Sequence, residues 1–247
     1  MTVSTTAVLR SEWIKMRSVR SVAGSLTAVL VVTLAITLLA FSTVGQSEAD
    51  NVDAEPVFDA FYALNFGQIA AISFGATALS SEFLNGALRI SLAAVPRRNL
   101  FYAAKIALVG APALVVGLVT SFSAFLVGQL FMGKYAIGLG EPGALRAAFG
   151  GGIYLALMAL FAAGLTVLLR SAVAVLSLLI PFVLIVSFVV GDVAGGAAQY
   201  LPDRAGQLVL HQNPGGSLGP WGGLAVTAAW AAAALLAGWW AIRRRDA

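Results

Sequence analysis

Six long apolar runs leave this chain little choice of fold. They cover residues 21–44, 58–79, 106–132, 147–169, 172–190 and 221–242. A membrane-spanning helix needs about 20 predominantly apolar residues, and each run is close to that length. At membrane depth they carry no Asp, Glu, His, Lys or Arg. Composition agrees: 60% of the residues are hydrophobic and 11% are charged, where a soluble domain has about 25% charged residues. Such a chain cannot cover its apolar surface with polar groups, so the expected fold is an all-α membrane protein. It reads as a single transmembrane domain over residues 1–247, with six transmembrane helices. Pro112 falls near one end of the third run, and Pro181 is expected to kink the fifth.

Charge then orients the helices. Lys and Arg are enriched in cytoplasmic loops. Placing the termini, residues 80–105 and the short turn at Arg170–Ser171 inside puts twelve basic residues there: Arg10, Lys15, Arg17, Arg20, Arg89, Arg97, Arg98, Lys105, Arg170, Arg243, Arg244 and Arg245. Only Lys134, Arg146 and Arg204 remain outside. Both termini are therefore expected in the cytoplasm and the chain in the plasma membrane. The interval 46–59 carries Glu48, Asp50, Asp53, Glu55 and Asp59 with no basic residue, which suits an outer loop. Phe58, Phe61, Tyr62 and Phe66 follow it at the interface that aromatic side chains favour. The net charge of +4 is dispersed over loops and does not point to nucleic acid. The run from Val22 is longer than the apolar core of a cleaved signal peptide, which is about 7–15 residues.

Two intervals read as neither span nor simple loop. Residues 2–21 wind into an amphipathic helix with Val8, Leu9, Trp13, Met16 and Val19 on one face and Arg10, Lys15, Arg17 and Ser18 opposite; Glu12 and Ile14 interrupt the pattern. It is expected to lie on the inner membrane surface, with Trp13, Lys15 and Arg17 as its interfacial residues. Residues 191–220 are rich in Gly and Pro and too broken to span. An outer cap, or re-entrant pieces dipping into the outer leaflet, fits them.

Few residues point to chemistry. The chain has no cysteine, which removes disulfides and thiolate chemistry. Gly215–Gly219 spells G-x-S-x-G near the single histidine, His211. A nucleophile elbow needs a strand–turn–helix on a sheet, which nothing here supplies. No G-x-x-x-x-G-K-[ST] phosphate-binding loop occurs, so any nucleotide hydrolysis belongs to a partner. Lys105, at an inner boundary, is expected to snorkel to the surface. Without ionisable groups at depth the chain is not expected to harvest an ion gradient by itself. Gly67, Ala71 and Gly75 recur every four residues and form a small-residue face. With Gln68 beside it, that face is a candidate translocation path or dimer seam, or else packing within the chain.

The segment SSEFLNGALRISLAAVPRRNLFYAAK, residues 80–105, is the polar-studded, basic interval between the second and third runs. It reads as a short helix on the inner surface, open to a soluble partner. Its residues also carry a resemblance. Leu9–Ser18 is similar to the opening E-x-x-K-x-R-S helix of the ABC-2 transporter permeases. Ser81–Arg89 resembles their pattern E-[FY]-x-x-G-T-[LIV]-[RK], with Ala87 in place of the usual Thr. Pro96-Arg97-Arg98 with Lys105 resembles their P-x-x-R…x-x-K. The resemblance covers nearly the whole chain. It implies a six-span permease with an interfacial N-terminal helix, a coupling helix between spans two and three, and re-entrant elements before the last span. It also implies a second permease copy, identical or related, and cytoplasmic ATPase subunits that bind ATP and Mg; this chain itself holds no cofactor. Glu82, Phe83, Gly86, Arg89, Arg97 and Arg98 are then the expected ATPase-coupling residues. Glu82 and Arg89 would offer docking charges, and Gly86 would allow close approach. The transported substrate, most simply an exported one, is not declared by any residue. A non-transporting scaffold subunit is the alternative, and a self-sufficient channel a third, disfavoured by the absence of charge at depth.

Overall fold

The computed structural model describes residues 5–49, 55–83, 87–95, 97–187, 189, 195–214 and 217–244. Among them there is no β-strand. The helices are α1 (Thr5–Ser18), α2 (Arg20–Thr43), α3 (Gly45–Ala49), α4 (Pro56–Ala60), α5 (Leu64–Ser80), α6 (Ala87–Ala94), α7 (Arg98–Gln129), α8 (Ala144–Leu169), α9 (Ala172–Pro181), α10 (Pro202–Gln207) and α11 (Pro220–Arg244). Four of them, α2, α7, α8 and α11, are long and apolar enough to cross a membrane. The second and fifth apolar runs make shorter elements. Helix α5 has 17 residues, a rise of about 25 Å at 1.5 Å per residue. Helix α9 is 10 residues long. After Pro181 the backbone winds wider, into a π-helical turn over Phe182–Val186, an irregularity of the π-bulge type.

Helix α8 is the post around which the others stand. It packs on α5, α7 and α11, and its small residues let those backbones approach closely. A Cβ at Gly152 would lie 2.7 Å from backbone atoms of Leu118 in α7, and one at Gly164 would lie 2.6 Å from the backbone of Ala234 in α11. The α8–α9 turn is as tight as its two residues suggest. Arg170 takes a left-handed conformation, φ 56°, and Ser171 caps α9 by accepting a hydrogen bond from the Ala174 amide at 3.2 Å.

The interval before α11 folds into helical pieces: 3-10 turns at Gly195–Tyr200 and Leu208–Leu210 flank α10. Val209 and Leu210 are fully buried, and Val209 fills the space beside Gly150 of α8. Two ends of the bundle can thus be distinguished. A basic end gathers α1, α6, the start of α7 and the close of α11. The far end carries α3, α4, the α7–α8 turn and the α10 region.

Candidate functional site

The basic end is assembled from pieces distant in sequence. Helix α7 begins at Arg98, eight residues before the expected start of the third span at residue 106. Its first two turns extend the helix beyond the apolar run and face α1 and α6. Val8 of α1, Leu88 of α6, Val95, and Phe101 and Ala104 of α7 form a buried apolar cluster of their own, with Leu9, Phe83 and Leu100 packed around it. The other side of α7 is tied to α11. Tyr102 Oη donates to Leu235 O at 2.7 Å, Trp239 Nε1 donates to Asn99 Oδ1 at 3.1 Å, and Arg98 Nη1 donates to Ile242 O at 2.7 Å. The last carbonyls of a helix lack intrahelical partners, and a guanidinium there also meets the negative end of the helix dipole.

Under the apolar cluster lies a buried ionic one. Glu12 is 3% exposed, Glu82 6% and Lys105 7%. Lys105 Nζ donates to Glu82 Oε1 at 2.6 Å and faces Glu12 Oε2 across a close ionic contact that lies off the hydrogen-bonding direction. Lys15 Nζ lies 2.8 Å from Glu12 Oε1 and 3.1 Å from Ser91 Oγ. Ser91 Oγ donates in turn to Glu82 Oε2 at 2.9 Å. Two carboxylates and two ammonium groups alternate around a serine, joining α1, the 3-10 turn after α5 (Ser81–Phe83), α6 and α7. Burial alone would raise the Glu82 carboxyl. The charge and hydrogen bond of Lys105, with help from Ser91 and Lys15, outweigh it and leave the group below its ordinary range.

Several sequence expectations change here. Glu82 is not a docking charge on the surface: its carboxylate turns inward and holds α6 to α7. Lys105 does not snorkel outward, because two carboxylates hold it inside. Glu12 does not spoil the α1 pattern; it belongs with Val8 to the buried face, while Trp13 and Ile14 are exposed. Arg98 is spent on α11. Phe83 is partly buried between the main core and the satellite cluster. Arg89 and Arg97 have exposed side chains, and Ile90 beside Arg89 is 72% exposed. Gly86 and the side chain of Arg17 lie outside the described residues. Lys15 reaches from the exposed side of α1 into the cluster. The sequence shows Glu12 only as an interruption of the α1 pattern and gives Ser91 no role. The available signal was an acidic residue four positions after Val8, on the apolar stripe of a helix.

The small-residue stripe of α5 is used within the chain. A Cβ at Gly67 would lie 2.3 Å from Thr33 Oγ1 of α2, and one at Gly75 would lie 1.9 Å from Ala159 O of α8; Ala71 is buried too. The stripe is therefore not an open seam for a second copy. Gln68 is buried, accepts a hydrogen bond from Tyr154 Oη, and lines a cavity at the far end. At that end His211 Nδ1 lies 3.0 Å from Glu55 Oε2, and its ring stacks on Phe58. Ser217 accepts from Gln199 Nε2 at 3.0 Å. Ser217–Gly219 of the G-x-S-x-G match lie in neither helix nor strand, and Gly215 and Gly216 fall outside the described residues.

No match is found among curated proteins. The sequence does match the family described as ABC-2 family transporter protein over residues 8–189, from α1 through the π-helical turn after α9. The matched region includes every residue of the ionic cluster and four of the apolar helices α2, α5, α7 and α8 on which it is mounted. This multi-pass membrane chain belongs to the ABC-2 transporter family.

Proposed function

We propose that the chain is the permease subunit of an ABC exporter, driven by a separate cytoplasmic ATPase that binds the ATP and Mg. In this reading it is one transmembrane domain with six spans, α5 and α9 with its π-turn supplying the second and fifth. The basic end is cytoplasmic in the plasma membrane, with both termini there, and a second permease copy completes the path. The observation that carries the reading is the construction of the basic end. Helix α6 presents Arg89 and the unusually exposed Ile90 on one side. On its other side Leu88 packs against α1 and α7, and Ser91 bonds to Lys15 of α1 and to Glu82, which holds Lys105 of α7. A push on α6 from a soluble partner is thereby delivered to the start of α7 and, through Arg98 and Tyr102, to α11. Coupling needs only that the partner contact α6 differently in its ATP-bound and ATP-free states. Glu82 and Lys105 act in this scheme as positioning residues, and Gly86, Arg89, Arg97 and Ile90 as the contact surface.

The test is Ile90→Asp. The side chain is outside both clusters, so the protein should fold and insert normally, yet recovery of an ATPase on the tagged permease should fall at least tenfold and export with it. Undiminished recovery and export would remove α6 as the contact. Full recovery of a complex whose ATP turnover never moves solute would favour the scaffold alternative.

A further inference from the structure

The close of α11 carries a second arrangement of charge at the basic end. The guanidinium carbon of Arg243 lies 4.7 Å from the ring centre of Trp239, and that of Arg244 lies 4.7 Å from the ring centre of Trp240. Each pair is four residues apart, and side chains on a helix lean toward its N-terminus. An arginine ending a membrane helix would otherwise stretch to water. These two fold back onto tryptophans, whose rings favour the membrane interface. A guanidinium over a ring face keeps its N–H groups in its own plane, free to point past the ring edge. A third, Arg98 of α7, donates to Ile242 O at 2.7 Å and to Arg243 O at 3.3 Å, and so covers the negative end of the helix dipole. None of the three has a carboxylate partner among the described residues. Glu12 and Glu82, the acidic groups described at this end, are held by Lys15 and Lys105. Three like charges at one helix end repel one another and favour an anion beside them.

We infer that this end of α11 binds an anionic phospholipid, with its phosphate held by Arg243 and Arg244 and its chains running along α11 past Trp240 and Leu236. Leu236, Trp240 and Arg244 follow at four-residue spacing and share one helix face. Leu236 is 63% and Trp240 49% exposed. From the middle of the bundle outward that face is apolar, then aromatic, then cationic. A phospholipid presents its chain, its glycerol and its phosphate in the same order. A phosphate diester accepts the two-pronged hydrogen bonding of a guanidinium, and basic sites beside membrane helices bind such headgroups. An acidic segment of a protein partner would match the charge but leave Leu236 and the Trp240 ring without a counterpart at membrane depth. A zwitterionic lipid would bring its own cation against the arginines. This binding does not rest on the permease reading.

The test titrates the full-length protein, in an uncharged detergent, with fluorescently labelled phosphatidylglycerol and with phosphatidylcholine carrying the same label. The wild type should bind phosphatidylglycerol at least tenfold more tightly. Each arginine near a membrane surface is worth about fivefold toward an anionic lipid. Arg243→Gln with Arg244→Gln should therefore bring the two lipids within about threefold of each other. Arg10→Gln with Arg20→Gln removes the same charge from exposed positions elsewhere at the basic end and should leave the preference within about twofold of wild type, since Debye screening weakens distant charges. Equal binding of the two lipids by the wild type overturns the inference. Equal loss in the two double variants also overturns it, since that result means diffuse attraction to the whole basic end. A third contrary result is an Arg243→Gln, Arg244→Gln protein that keeps its lipid preference but no longer recovers an ATPase, which would assign the patch to a protein partner. Wild-type lipid preference in a chain that recruits no ATPase would sink the permease reading and leave this inference standing. ATPase recruitment without lipid preference would do the reverse.

Discussion

Replacing Lys105 with Met should be the most damaging single change at the basic end. The substitution keeps most of the side-chain volume and removes one ammonium group from between two buried carboxylates. Glu82 Oε2 keeps its bond from Ser91, and Glu12 Oε1 keeps Lys15, but Glu82 Oε1 and Glu12 Oε2 lose the charge they face. Breaking a buried ion pair from one side costs about 3–5 kcal/mol. The half-exposed Lys15 offsets part of this, so the lower figure of about 3 kcal/mol is expected. For a chain of this size that corresponds to roughly a 6–12 °C fall in melting temperature. Scanning fluorimetry of the purified protein in detergent reads the shift. Limited trypsin digestion reads its location, since α1 should come loose and be cut at Arg10 and Lys15. The triple change Glu12→Gln, Glu82→Gln, Lys105→Met removes all the buried charges together and should recover most of the loss, because the one charge left, on the half-exposed Lys15, can be solvated. A Lys105→Met protein that melts within about 2 °C of wild type, a change too small for the predicted loss, with an unchanged tryptic pattern, would refute the ionic lock.

Three further outcomes are expected. The folded-state pKa of Glu82 is depressed, so its contribution to stability is fully present above the ordinary carboxyl range and is lost as pH falls through the lowered value; the melting difference between wild type and Glu82→Gln, about 1.5–3 kcal/mol near neutral pH, should shrink below about pH 4, and a constant difference down to pH 3 would contradict it. Gly75→Ala should lower thermal stability by at least the 1–3 kcal/mol typical of overpacking, since the new Cβ meets a backbone carbonyl that cannot swing away, whereas Gly24→Ala, with open space around it, should be neutral; equal melting of the two variants would remove the close α5–α8 contact. Topology is read on single cysteines in this cysteine-free chain: Ser47→Cys and Ser217→Cys should react with an impermeant reagent on intact cells and Ile90→Cys only after permeabilisation, position 90 serving better than the buried Ser91 beside it.

The long helices were legible in the sequence because their cause is local. Apolar runs near 20 residues give α2, α8 and α11 almost to the residue. The start of α7 was not legible, because Arg98, Asn99 and Lys105 look like loop until α1, α6 and α11 supply their partners. The ionic cluster was hidden for the same reason. Glu12 and Lys105 are far apart in the chain, and each alone reads as an ordinary residue at a membrane boundary. Only the oddity of an acidic group on the apolar face of α1 pointed to a buried partner. The α5 stripe illustrates the converse limit: a four-residue spacing of Gly67, Ala71 and Gly75 announces close approach without saying to what, and the structure directs it to α2 and α8. At the far end, the burial of Asp203 depends on how α10 folds back, which no periodicity reports.

The most direct test of the whole account is ATP turnover by the complex recovered on the tagged permease from its own membranes. The wild-type chain should bring down a soluble ATPase with measurable turnover, the Ile90→Asp chain should be recovered in equal amount without it, and neither permease should hydrolyse ATP once stripped of partners. A wild-type chain that recruits no ATPase, or an Ile90→Asp chain that recruits it fully, would contradict the claim that this permease is driven through α6.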